Sequence, residues 1–422
     1  MKNILFEINN IAENLGLYLD ENILDVINEK KINIKRVNVK KDSDSTLLIG
    51  DNFFPLIDLA LSSNFSVDFC YIDPPYNTGG NFIYNDNRKS SVSQIYGSHG
   101  AWMAFMLPRL FLARMVMKSD GIIAISIDDY EFAYLKILMD RIFGEKNFIG
   151  NIIVCRSKNG RGSSNNIAST HEYLLVYGKT LKAKLIGSID DVNEYDKSDM
   201  HGKYKIDGLF RKKGADSLKD DRPNMYYPLY ANLSTGNVYV EPDKGLIEIY
   251  PVDSKGIKRR WLWGKETTSQ RSWQLYSSKN GVIYVKNYFS SDKRKKIRSL
   301  WDYSDYYTEK ATNEITELFG EKIFDTPKSL KYIMSILDTM TKSDALILDF
   351  FAGSGTIAHA AAMLNSIDNG TRKTILMEND VLIPNSHISY KHGYKYISDI
   401  TIARLKKIKE QYINFNYRIE KY

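Results

Sequence analysis

Asp73, Pro74, Pro75 and Tyr76 stand together at the end of a short apolar run, Val67-Asp68-Phe69-Cys70-Tyr71-Ile72, with Asn77 and Thr78 directly after them. The group offers a carboxylate, two imide carbonyls and an aromatic ring. Each prolyl ring fixes its own φ and removes one backbone donor, and the residue before each proline is held out of the α region. Such a turn is stiff and rich in hydrogen-bond acceptors. It suits a substrate amine that gives up hydrogen bonds while lying against a flat ring. Asp and Pro are also common in ordinary strand-ending turns, so these residues alone leave both readings open.

A second group decides between them. Ala345-Leu346-Ile347-Leu348-Asp349-Phe350-Phe351-Ala352-Gly353-Ser354-Gly355-Thr356 is an apolar strand running into a glycine turn, and Ile357 to Leu364 reads as a helix. Strand, Gly-Ser-Gly turn and helix form the mononucleotide-binding start of a doubly wound sheet, where a backbone without Cβ atoms lets a cofactor approach. The third glycine of the dinucleotide fingerprint is missing, which disfavours NAD. The next strand, Lys373 to Met377, ends in Glu378, an acid placed to accept hydrogen bonds from ribose hydroxyls. Plainer readings stand beside these. Asp349 and Asp51 also suit caps of the helices that follow them. Glu378 fits a solvated strand end, Lys328 a surface lysine at a helix start, and His171 and His359 structural positions.

These residues need elements that carry them to one place. Strands are expected at 47–50, 67–72 and 121–127, with helices near 53–62, 101–118 and 129–143. Ile152 to Val154 and Tyr173 to Tyr177 read as edge strands. From 178 to 310 the pattern breaks into short β-like runs separated by Gly, Asn, Asp and Ser turns. The α/β alternation resumes with a helix over 328–340, strands over 345–350 and 373–377, a helix over 356–365 and a basic helix over 398–413. Residues 1–44 read as a polar helical extension, with apolar positions at helical spacing from Ile11 to Asn28. The fold class is α/β, a doubly wound Rossmann-like sheet with a smaller, mixed and β-rich domain inserted. Parallel strands bind ligands at their carboxyl ends, where the strand order switches. One sheet can therefore hold a cofactor over the 350 loop and an acceptor over the 73 loop.

Charge adds a partner class. The chain of 422 residues carries a net +7, but residues 151–300 hold 28 Lys/Arg against 16 Asp/Glu, and the remainder holds 30 against 35. The excess gathers at Arg211-Lys212-Lys213, Lys258-Arg259-Arg260 and Lys293-Arg294-Lys295-Lys296. Any one cluster suits a solvated face equally well; a regional excess is what phosphate contacts along a duplex require. Trp261, Trp263, Trp273, Tyr226 and Tyr227 lie among the charges, as small-domain core or as stacking platforms. The two cysteines, Cys70 and Cys155, make no ligand cluster and no disulfide framework, which suits a reducing cytosol. No metal cluster is expected, nor any targeting or membrane-spanning segment, and the location expected is cytoplasmic.

Taken together, the two motifs resemble the amino-methylating DNA methyltransferases that use S-adenosylmethionine. Their order, Asp-Pro-Pro-Tyr first and Phe-x-Gly-x-Gly last, is that of the β class. Leu48-Ile49-Gly50-Asp51-Asn52, Trp102, Pro108-Arg109-Leu110, Gly121 to Asp129, His171-Glu172-Tyr173, Phe324 to Lys328 and Arg404 extend the likeness over most of the chain. The wording Tyr-Ile-Asp-Pro-Pro-Tyr-Asn-Thr-Gly is similar to that of modification subunits of type III restriction systems. The resemblance implies a catalytic half over 45–177, a target-recognition domain over 178–310 and a cofactor-binding half over 311–422. It implies that Asp73, Pro74, Pro75 and Tyr76 handle the amine of a flipped-out adenine. Asp349, Phe351, Gly353, Gly355, Glu378 and Lys328 would hold the cofactor. Asp51, Asn77, Thr78, Arg211, Lys212, Lys213, Arg259 and Arg260 would hold the base or the DNA. Double-stranded DNA is the implied partner and a homodimer the implied assembly, with a restriction subunit and solitary action both open. The chain is shorter than type III modification subunits. Cytosine-N4 methylation and a DNA-binding regulator with a vestigial site remain as alternatives, the first disfavoured because such enzymes usually carry Ser where Asp73 stands.

Overall fold

Nine strands form one mixed sheet whose order explains how two distant motifs meet. A computed structural model describes residues 2–19, 43–62, 66–77, 98–160, 167–290 and 292–422. In chain order the strands are β1 Ser45–Ile49, β2 Val67–Ile72, β3 Met117–Ile127, β4 Phe148–Cys155, β5 His171–Gly178, β6 Leu300–Trp301, β7 Leu346–Asp349, β8 Lys373–Glu378 and β9 Tyr417–Lys421. Their order across the sheet is β6-β4-β5-β3-β2-β7-β8-β1-β9. The adjacent pairs in the run β3-β2-β7-β8-β1-β9 are all parallel, while β5 is antiparallel to both β3 and β4.

The strand sequences account for their place. β2 is apolar on both faces apart from Asp68, the pattern of a strand covered by helices on either side. Val67, Cys70 and Ile72 enter one core layer, against helices Phe53–Leu61, Ser98–Val116 and Phe132–Phe143. Phe69 and Tyr71 enter the other, against helices Leu330–Met340, Thr356–Asp368 and Ile397–Gln411. Asp68 sits at the rim, where Lys118 Nζ meets one oxygen at 2.6 Å and the Leu346 N–H donates to the other at 2.9 Å. It thereby ties the starts of β2, β3 and β7.

β2 and β7 are direct neighbours, with Ile347 opposite Phe69 and Leu348 opposite Cys70. On one side of this pair the chain builds β3, on the other β8 and β1. This is the switch point of the sheet, and both motif loops leave it at the carboxyl ends.

Most expected elements form within a few residues of their predicted bounds. Three findings differ. β9 lies beyond the last expected element, and the short β6, in the stretch read as short β-like runs of the inserted domain, joins the main sheet instead; both are edge strands, too short or too polar to carry a periodic signal. The described N-terminal helix is Lys2–Asn14, with Ile8 and Ala12 buried in the first core layer, and 20–28 lie outside the described residues. The second compact unit is Ile189–Lys295 rather than 178–310, because β6 pairs in parallel with β4 of the main sheet and His171–Gly178 leads directly into 179–188 of the same body.

That smaller unit has a four-stranded antiparallel sheet and a three-stranded one. Its core is Phe210, Tyr227, Leu229, Val238, Trp261, Leu275 and Ile283 with a few smaller residues. Trp261 is buried, its indole N–H donating to the Tyr227 carbonyl at 2.8 Å. Trp273 is partly exposed and stacks on His201 at 4.1 Å between ring centroids.

Candidate active site

The loops after β2 and β7 line one cavity of about 780 Å³ within the larger unit. Asp73, Pro74, Pro75, Tyr76 and Lys328 line one part; Asp349, Phe351, Gly353 and Glu378 line another. A ligand pocket for a nucleoside-sized group is of this size.

At the acceptor end the turn is held by its neighbours. The Trp102 indole N–H donates to the Pro75 carbonyl at 2.7 Å. The Pro74 carbonyl accepts no hydrogen bond among the described residues. Asn77 has φ +59, a left-handed conformation that Asn tolerates better than most residues, and its side-chain amide donates to Glu131 Oε1 at 2.8 Å. Asn77 therefore anchors the loop through Glu131. Thr78 lies outside the described residues.

Asp73 Oδ1 receives the Tyr76 hydroxyl at 2.5 Å and Lys328 Nζ at 3.0 Å. Burial pushes the Asp73 carboxyl above its usual range; Lys328 counters the shift and Glu172 reinforces it. Lys328 Nζ also donates to the Tyr76 oxygen at 2.6 Å and to both oxygens of Glu172 at 3.0 and 2.8 Å. All these contacts lie at the acceptor end. Lys328 was expected at the cofactor, and the structure places its Nζ 3.0 Å from Asp73 Oδ1. The reason is local: Ser329 caps the helix Leu330–Met340, and the residue just before it projects from the helix start toward the β2 loop. Glu172 opens β5 and is braced by Arg156 Nε at 3.5 Å.

At the cofactor end two acids face the same space. Asp349 Oδ1 accepts from the Phe351 N–H at 3.0 Å, and burial pushes its carboxyl well up, with Glu378 and Asp73 adding to the effect. Glu378 Oε2 accepts from the Gly353 N–H at 2.6 Å and Oε1 from Asn379 at 3.1 Å. Burial raises it to about 7. Neither acid has a basic side chain paired with it among the described residues. Phe350 is fully buried, whereas Phe351 is half-buried and lies 6.1 Å from the Phe105 ring. Gly353 and Gly355 have φ +52 and +77, and a Cβ at Gly355 would stand 3.2 Å from Thr401 Cγ2. Arg404 is buried behind this loop, donating to the Ser354 hydroxyl at 3.0 Å and to the Thr356 hydroxyl.

Asp51, expected near the base, lines the same cavity and also serves the frame. Its Oδ1 accepts from Arg109 at 2.8 Å and from the Phe53 N–H at 2.9 Å. Arg109 also donates to Asn52 Oδ1 at 2.6 Å, and Asn52 donates to the Phe350 carbonyl at 2.5 Å. One buried guanidinium thus joins the loop after β1 to the loop after β7. Arg109 and Glu172 carry these roles without having been assigned them from sequence. For Arg109 a signal was present, a charged residue inside an otherwise apolar run.

The expected DNA contacts lie in the smaller unit and divide. Lys213 is exposed and Lys212 partly so. Arg211 lies 4.0 Å from Asp253, and Arg259 pairs with the same acid at 3.0 Å and donates to the Ser217 hydroxyl at 2.7 Å. Arg260 is 7% exposed and is spent on the Asp216 and Trp261 carbonyls and on Met225. It is a structural residue of that unit, not a phosphate contact.

A doubly wound sheet with an acid-proline-proline-tyrosine turn and a glycine loop around one cavity defines an α/β group-transfer enzyme that binds a nucleoside-type cofactor. The chain belongs to the N6/N4 DNA methylase family, whose model matches residues 67–373. It is 60% identical over 418 residues to the type II methyltransferase M.KpnI of Klebsiella pneumoniae, with 99% of each chain covered. It is 35% identical over 404 residues to the Mod subunit of the type III restriction-modification enzyme EcoPI of Escherichia phage P1, covering 87% of this chain and 62% of that one. The PvuII DNA methyltransferase (cytosine-N4-specific) aligns over 90% of this chain at 12% identity and a TM-score of 0.42. Among the described residues no helix is long and apolar enough to cross a membrane.

Proposed function

We propose that the chain transfers a methyl group from S-adenosylmethionine to the exocyclic amino group of an adenine flipped out of double-stranded DNA. The observation that carries this reading is the placement of Asp73 and Asp349 at the ends of adjacent strands around one cavity. The chemistry of the lining fits the cofactor: two buried acids without a basic partner favour a ligand that brings positive charge and hydroxyl donors. Asp349, Phe351, Gly353, Gly355 and Glu378 would hold it, with Glu378 on the ribose. When bound, S-adenosylmethionine supplies an electrophilic methyl group.

The acceptor residues do the remaining work. An aromatic amine is a weak nucleophile because its lone pair is delocalised into the ring. Asp73 and the Pro74 carbonyl accept its two N–H bonds, which draws the nitrogen toward a tetrahedral shape and frees the lone pair. Tyr76 stacks on the extruded ring. Positioning of both reactants in one cavity supplies much of the rate. Adenine is favoured over cytosine because a carboxylate stands at position 73.

The smaller unit, with its exposed Lys213 and Trp273, is assigned to target recognition on duplex DNA. Action as a homodimer is part of the same reading, and full activity in a species of monomeric mass would reject that part. The decisive experiment incubates unmethylated genomic DNA with S-adenosylmethionine and either the wild-type protein or Asp73→Ala, then sequences single molecules for modified bases. N6-methyladenine at one short motif, absent with the variant, supports the reading. N4-methylcytosine would reassign the base, and no modification despite cofactor binding would favour a DNA-binding regulator.

A further inference from the structure

The ammonium of Lys328 sits where an acceptor amine has to sit. The side chain is 8% exposed, and its Nζ reaches Asp73 Oδ1, the Tyr76 oxygen and both oxygens of Glu172 at 2.6–3.0 Å. An ammonium has three N–H donors and no acceptor, so these contacts use its full capacity. The Tyr76 hydroxyl donates to the same Asp73 oxygen. One oxygen of the group that must accept the substrate N–H is therefore already occupied by an amine belonging to the protein. No contact of Lys328 runs to Asp349, Phe351 or Glu378.

The surroundings supply a second seat for that ammonium. Glu172 is buried and takes Nζ through both oxygens, while Arg156 braces it from behind. Two acids and two bases make this cluster neutral as a whole. If Lys328 leaves Asp73, it keeps both oxygens of Glu172, while Asp73 exchanges a charged donor for the N–H donors of the incoming amine.

We propose that Lys328 is a resident substitute for the substrate amine, displaced from Asp73 onto Glu172 when a flipped base enters. The inference rests on the acceptor chemistry proposed above and deepens it. A base that brings an amine competes with the lysine for Asp73 and gives up part of its binding energy to move it. A base without an amino group at the right position leaves the lysine in place, so the exchange tempers the preference for the amine and keeps Asp73 paired whenever no amine is bound. Lys328 and Glu172 are in this sense positioning residues; neither touches the transferred methyl.

The test compares the wild-type protein with Lys328→Met/Glu172→Gln. Both changes keep side-chain volume, and making them together avoids leaving Glu172 buried and alone. Duplexes carry the motif that the wild-type protein methylates, with either adenine or purine, which lacks the 6-amino group, at the modified position. Affinities are read by fluorescence anisotropy with S-adenosylhomocysteine present. The preference for adenine over purine is expected to rise about tenfold in the double variant, the scale of one charge-assisted hydrogen bond no longer offset by moving the lysine. An unchanged or smaller preference overturns the proposal, and a parallel loss for both duplexes counts the same way. Calorimetric affinity for S-adenosylmethionine should stay within about twofold, since Lys328 makes no cofactor-side contact; a large loss would return Lys328 to the cofactor and also overturn it. A wild-type protein that methylates no duplex removes the acceptor chemistry itself, a result distinct from normal methylation with an unchanged ratio.

Discussion

Asp73 and Glu378 are the two acids whose chemistry depends most on being charged. Asp73→Ala is expected to lower methylation by on the order of 10²–10³-fold, the loss seen when one preorganised hydrogen-bonding group is removed from a transition state. Cofactor affinity should survive, because Asp73 belongs to the acceptor end; equilibrium dialysis with labelled cofactor checks this. Glu378 titrates near 7 because burial disfavours its charge. Its folded pKa is raised, so its contribution to stability is fully present below the unfolded carboxyl value and is lost as pH rises through about 7. Cofactor binding runs the other way, since hydroxyl donors prefer an ionised acceptor. Affinity for S-adenosylmethionine is expected to rise roughly three- to tenfold between about pH 6 and about pH 8, and Glu378→Gln should flatten that slope. A wild-type affinity that is level over this range would remove Glu378 from the ribose.

Between elements, the sheet is stapled by a few buried polar groups. Arg109 joins the loop after β1 to the helix that carries it and, through Asn52, to the loop after β7. Arg109→Leu should destabilise the protein by about 2–3 kcal/mol, mostly because Asn52 and Asp51 lose a charged donor. The unfolding midpoint in urea would fall, and cofactor affinity would weaken with it because the Phe350-Phe351 backbone loses its anchor. Gly355→Ala is expected to cost about 1–2 kcal/mol from the left-handed backbone alone, with the Thr401 methyl adding to it. Motifs and most strands were legible in sequence because apolar strands of a parallel sheet read as continuous runs. The anchors were not, since Arg109, Asn52 and Phe350 are far apart in the chain and nothing local records that they touch. The anchor on Asn77 was hidden for the same reason: its partner Glu131 lies 54 residues away.

Across the whole molecule, charge is spread more widely than the clusters suggest. The compact unit Ile189–Lys295 carries 20 Lys/Arg against 15 Asp/Glu. More than half of the excess in residues 151–300 therefore belongs to flanks that fold with the larger unit. Exposure then separates the basic residues by role. Lys213→Ala should reduce the salt dependence of DNA binding by about one counterion without altering the modified motif. Arg260→Ala should instead lower the stability of the protein, read by calorimetry, because it leaves the Asp216 carbonyl and the packing on Met225 unmet. If Lys213→Ala left the salt slope unchanged, that lysine would not lie on the DNA.

By itself the sequence determined the class of sheet, its two chemical loops and the regional positive charge, because strand burial, proline and glycine geometry and net charge are local properties. Only the tertiary structure decided what each polar side chain is for. Lys328 meets Asp73 and Glu172, Asp51 and Asn77 brace the loops after β1 and β2, and Arg260 holds the smaller unit together. A lysine, an aspartate or an arginine reads alike whether it meets substrate or a buried partner, and long-range packing alone distinguishes the two.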